Sequence, residues 1–143
     1  MKEKRYKKIS QTEKQLVENC IKNALKKRPE IVFAYIHGSF AKQEGFKDID
    51  VAVYLKDVPS SLLQYELGLE TELMGAIAHY PVDVRALNGS PLSFKYHVIK
   101  EGTLLIVRDD DMRADFQEVT LSAYFDFAPY RTMYVKETLG LGV

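Results

Sequence analysis

Three things are nearly missing from this 143-residue chain: cysteine, an excess of charge of either sign, and any long apolar run. Its one cysteine, Cys20, cannot close an internal disulfide. It falls among apolar residues at helical spacing, so it is expected to pack in the core and carry no chemistry. The 20 basic and 20 acidic residues cancel. The chain therefore lacks the cationic footprint that nucleic-acid binding ordinarily requires, and polymer partners of that kind are not expected. Lys2, Lys4, Arg5, Lys7 and Lys8 crowd the start with no apolar stretch behind them. Neither a signal peptide nor a membrane span is expected, and a cytoplasmic protein is. Gly-x-Gly-x-x-Gly and P-loop patterns are also absent, as is a serine, histidine and acid combination. His79 and His97 do not stand at metal-ligand spacing.

What remains is the profile of an ordinary globular domain, 46% hydrophobic and 28% charged. We expect a basic tail over residues 1–9 and one domain over 10–143, without repeats or linkers. Ser10 and Glu13 form a capping box, and Leu16, Val17, Cys20, Ile21, Ala24 and Leu25 recur at helical spacing behind it. Pro29 stops that helix, and residues 31–36 read as a buried strand. Residues 48–55 alternate with period two as a second strand. A helix opened by Pro59 and Ser60 carries Leu62, Leu63, Leu67, Met74 and Ile77 as its apolar stripe, and Pro81 ends it. A strand over 82–87, a turn over 88–91, a helix over 92–100 and a strand over 103–107 follow. The last helix starts near Asp109, and Pro129 is expected to kink or divide it. Helices interspersed with strands in this order describe an α+β fold, an α/β-type sandwich with a small mixed sheet packed by helices.

The chemistry gathers on the strands. Asp48 and Asp50 share one face of the second strand, within roughly 7 Å of each other, and their repulsion calls for water or a cation. A solvated strand face shows the same pair. Asp83 adds to it, because an acidic residue inside the short apolar run Val82-Asp83-Val84 is costly without a counter-charge. Magnesium prefers oxygen ligands and leaves positions open for phosphate, so three such carboxylates suit a nucleoside triphosphate. Gly38 and Ser39 follow the first strand directly. The glycine allows a tight turn and close approach of a ligand. The serine either caps a helix or holds a phosphate, and both uses leave backbone N–H groups facing an anion. Lys42 and Lys47 are candidates to neutralise triphosphate charge, though loop lysines are usually solvated. His37 either reaches a phosphate or is a hydrogen-bonded structural histidine. Tyr124, Phe125, Phe127 and Tyr130 are expected to pack rather than to stack on a base.

Gly38-Ser39-Phe40-Ala41, Asp48-Ile49-Asp50-Val51-Ala52-Val53 and Val82-Asp83-Val84 together resemble the DNA polymerase β-like nucleotidyltransferase superfamily. The minimal nucleotidyltransferase branch, whose members act as antitoxins, is the nearest likeness, over about residues 31–135. The resemblance implies that Gly38 and Ser39 hold the triphosphate of ATP and that Asp48, Asp50 and Asp83 bind two magnesium ions. Gln43 stands where the family usually has glycine, Gly45 comes later, and Lys47 replaces a common serine or threonine. The resemblance further implies a partner, a HEPN-type ribonuclease toxin, and transfer of AMP to one of its tyrosines. The alternatives are a nonenzymatic module acting by occlusion, and transfer to a small molecule, for which no acceptor pocket is evident in the sequence.

Overall fold

The computed structural model describes residues 9–42, 47–77 and 80–139, with side chains described as far as residue 126. The basic tail apart from Ile9, the loop residues Gln43 and Gly45, His79, and the side chains of Phe127 and Tyr130 lie outside the described residues. Nine elements follow in order: α1 Gln11–Lys26, β1 Ile31–His37, α2 Gly38–Ala41, β2 Ile49–Leu55, α3 Leu62–Ile77, β3 Val82–Ala86, α4 Leu92–Glu101, β4 Thr103–Val107 and α5 Asp110–Leu139. The strands form one mixed sheet in the order β3-β2-β1-β4. β1 lies antiparallel to β2 and β4, while β2 and β3 are parallel. This is the expected α+β sandwich.

Each sheet face has its own core. On one, Val17, Ile21 and Leu25 of α1 and Leu69, Leu73 and Ile77 of α3 close over Ile36, Val51, Val53 and Val84. On the other, Phe33, Tyr35, Ala52 and Leu87 pack with Val98 of α4 and with Met112 and Phe116 of α5. The Ser10 hydroxyl accepts the Glu13 N–H at 3.1 Å, so the capping reading of α1 holds. Asp109 does the same for α5, accepting from the Met112 N–H at 3.1 Å.

Three expectations need correction. Cys20 is exposed, not core, because it stands one position off the buried line through Val17, Ile21 and Ala24. Leu63 and Leu67, placed in the stripe of α3, are 65% and 51% exposed, and Met74 is exposed with them. The rotation of α3 is set by Leu69, Leu73 and Ile77 together with two glutamates on the same turns. Glu70 accepts the Val84 N–H at 2.8 Å and Glu66 the Ala86 N–H at 2.7 Å. Those N–H groups point off the open side of β3, so covering them with carboxylates satisfies donors that no strand reaches. α3 starts at Leu62, where Ser61 accepts the Gln64 N–H at 3.2 Å, rather than at Pro59. Of the two outcomes expected at Pro129, division does not occur, since α5 runs on past it.

Arg108, directly after β4, ties the sheet to the end of α1. Its Nε donates to the Ile31 carbonyl at 2.8 Å and its Nη2 to the Lys26 carbonyl at 2.5 Å, a cation on the negative pole of the helix. Arg108→Ala is expected to lower stability by about 1–2 kcal/mol, read as a fall of several degrees in Tm. An unchanged melting curve would show that water replaces the guanidinium at no cost.

Candidate active site

The ends of three strands bring the expected residues together. β1 finishes at His37, which pairs in register with Asp50 of β2, and Asp50 in turn stands beside Asp83 of the parallel β3. Asp48 lies one residue ahead of β2. Burial raises the pKa of Asp50 to about 6, and Asp83 and then Asp48 add to that shift by repulsion, with Arg85 opposing them. A divalent cation would offset the charge at Asp50, which Arg85 offsets only in part. Among the described residues no three carboxylate, imidazole or thiol groups already stand at metal-binding distance. Asp83 faces the Arg85 guanidinium at 4.0 Å.

Gly38 opens α2 with φ +78°, a left-handed conformation that a side chain would strain. A Cβ there would come within 2.4 Å of the Asp50 carboxylate. Only glycine lets the turn lie this close to the acid, as expected from the sequence. Ser39 is the second residue of this short helix, and His37, not Ser39, occupies its cap position. Lys14 of α1 donates to the Ala41 carbonyl at 3.1 Å and so steadies the far end of α2.

Lys42 turns away to Glu101 of α4, 3.1 Å distant, in an exposed ion pair. Lys47 immediately precedes Asp48 and is partly buried. Two further residues belong to this place, Arg85, which sequence reasoning missed, and His37, which it had named. Arg85 lies two positions after Asp83 on the same strand face, a signal that period two would have shown. His37 has its Nε2 buried without a hydrogen-bond partner. Burial lowers its pKa, although Asp83 nearby acts the other way. Its ring meets Phe94 edge-on at 5.6 Å. Gly102 leaves room behind it, since a Cβ there would lie 2.5 Å from the Val98 carbonyl and 3.4 Å from the His37 Cβ. Tyr124 stacks on Tyr96 at 3.7 Å, a packing role as expected.

The family model described as "Polymerase beta, Nucleotidyltransferase" matches residues 19–111, which include Gly38, Ser39, Asp48, Asp50 and Asp83. The chain belongs to that family. Among curated proteins none matches significantly. Solved structures do. One is a tri-AMPylated HEPN toxin from Shewanella oneidensis in complex with an MNT antitoxin. It is 24% identical with TM-score 0.70, and the match covers 88% of this chain and 98% of that one. Another is the toxin-antitoxin pair MntA-HepT, 23% identical with TM-score 0.69, covering 87% of this chain and 98% of the other. A toxin-antitoxin structure with AMP-PNP is 23% identical with TM-score 0.71, covering 85% and 98%. These likenesses agree in fold, and the family read from the three aspartate and glycine-serine motifs is borne out.

The structure also holds what the sequence did not show, a cavity of about 580 Å³ on the sheet face that carries the three aspartates. Its floor includes Tyr54 and Leu87, the residues four positions beyond Asp50 and Asp83. No helix among the described residues is long and apolar enough to cross a membrane.

Proposed function

We propose that this protein is a magnesium-dependent nucleotidyltransferase that moves AMP from ATP to a tyrosine hydroxyl of a HEPN-type toxin and thereby acts as its antitoxin. The observation that carries it is the juxtaposition of Asp50 with Asp83 and Asp48 beside a left-handed Gly38. It is a set of carboxylates short of cations next to a turn open to phosphate. The complexes of similar fold, one with an AMPylated toxin and one with AMP-PNP, support the choice of donor and acceptor. We place the whole activity in one domain, residues 10–143, in the cytoplasm.

Asp48, Asp50 and Asp83 would hold two magnesium ions, which when bound offset the triphosphate charge and acidify the acceptor hydroxyl. The backbone at Gly38 and the Ser39 hydroxyl receive the triphosphate. Lys47 directly precedes Asp48, and Lys42 contributes only by leaving Glu101. Asp83, on the β3 side, takes the proton of the attacking tyrosine. The tyrosine oxygen bonds to the α-phosphorus, the bond from that phosphorus to the bridging oxygen breaks, and pyrophosphate leaves.

Incubation with magnesium, ATP and the HEPN protein is expected to add one or more AMP units to that protein, seen by intact mass, and to lower its ribonuclease activity. Asp48→Ala, Asp50→Ala and Asp83→Ala should each abolish both effects. The rival, occlusion without chemistry, draws on the altered loop around Gln43 and Gly45. Inhibition that survives all three substitutions, with no mass added by the parent, would establish the rival instead.

A further inference from the structure

The 580 Å³ cavity is lined by none of the residues assigned above to ATP or metal, yet it opens on the same sheet face. Asp83, Arg85 and Leu87 project to one sheet face at successive steps of two, beside Asp50, Ala52 and Tyr54. The Leu87 N–H still bonds to the Val53 carbonyl at 2.7 Å, so the ladder runs that far. At the rise of a strand, the Cα atoms of Arg85 and Leu87 lie about 7 Å and about 13 Å along β3 from that of Asp83. The floor is rigid. Tyr54 stacks on Phe33 at 4.9 Å and 5°, and Phe116 tilts against it at 5.3 Å. At the mouth, Val58 and Val119 are 60% and 68% exposed, apolar surface of the kind a partner covers.

An extended polypeptide has the same repeat as β3, so a segment laid along that strand keeps pace with it. A tyrosine over Asp83 then puts the residue two positions away over Arg85 and the residue four positions away over the cavity. The Arg85 side chain is 61% exposed and reaches Asp83 only at the limit of an ion pair, which leaves it open to a carboxylate from outside. Pairing as a fifth strand is closed, because Glu70 and Glu66 occupy the outward N–H groups of Val84 and Ala86. Recognition on this side must therefore come from side chains over the face. The strand order separates the two substrates: Gly38 and Ser39 follow β1, whereas Asp83 and the cavity lie on the β3 side of β2.

We propose that the cavity is the docking pocket for the acceptor protein. It takes an apolar side chain four residues from the modified tyrosine of an extended partner segment, and Arg85 pairs with an acidic side chain two residues from that tyrosine. This rests on the reading that the chain transfers AMP to a partner's tyrosine.

The test measures AMP transfer to the HEPN protein at varied concentrations of that protein and of ATP, together with binding of the HEPN protein without ATP. Val119→Glu and Arg85→Gln, both on the surface, are each expected to raise KM for the HEPN protein at least tenfold and to weaken its binding comparably. In Val119→Glu, kcat, KM for ATP and the rise in Tm with ATP should stay as in the parent, and Arg85→Lys should recover most of the rise in KM caused by Arg85→Gln. A loss confined to ATP affinity would assign the cavity to the nucleoside and overturn the proposal, as would unchanged kinetics in both variants. Absence of transfer by the parent protein would remove the underlying reading as well, so the two failures are told apart.

Discussion

Asp50→Asn is expected to cost roughly a thousandfold in AMP transfer while making the metal-free protein melt higher at about pH 7.5. The first effect follows from losing a metal-binding oxygen where charge develops, worth several kcal/mol. The second follows from the environment of Asp50, half-buried between Asp83 and Asp48, where its pKa of about 6 stands above the ordinary value of 3.8. A carboxyl with a raised folded pKa favours the native state fully below the unfolded value and loses that contribution as pH rises through the folded one. At about pH 7.5 the parent protein bears the whole penalty, which solvent screening of a half-buried group reduces to about 1 kcal/mol. Asparagine removes it, for a gain of about 3–5 °C in Tm. The gain should shrink between about pH 6 and 4 and vanish below. Magnesium with ATP should raise the Tm of the parent but not of the variant. A variant that fails to fold would give Asp50 a structural role and contradict the site.

Gly38→Ala is expected to lower kcat at least a hundredfold with a cost in stability of about 1–2 kcal/mol. Its Cβ would stand 2.4 Å from an Asp50 oxygen. The carboxylate end is the part free to move, so the protein folds by swinging that acid out of place, and the φ of +78° adds backbone strain. Folding is spared and chemistry is not. Steady-state kinetics beside a melting curve would separate the two, and retained kcat would mean that the acid is not positioned by contact with this turn.

The register of the site was legible because strands have period two. Asp48 and Asp50 announced a shared face, and Asp83 inside an apolar run announced a neighbour strand. The alternation needed to read Arg85 was present as well, but an arginine two residues past an acid reads equally as a solvated position until Asp50 is seen beside Asp83. α3 was harder to orient. Its sequence offers apolar residues on more than one face, and the choice among them depends on Glu66 and Glu70 reaching backbone donors of β3, a strand that begins five residues after the helix ends.

Local pattern determined the elements, the glycine at the turn and the identity of the acids, because capping, period and steric freedom act within a few residues along the chain. The tertiary structure alone decided three other matters. It turned Leu63 and Leu67 outward and Cys20 off the core, and it paired Lys42 with Glu101, 59 residues away. It also assembled a cavity from Tyr54, Leu87 and Phe116, which come from separate parts of the chain. Each of these depends on which surfaces meet when helices settle on a sheet, and burial energy is a property of the pair in contact, which neither stretch of sequence carries by itself.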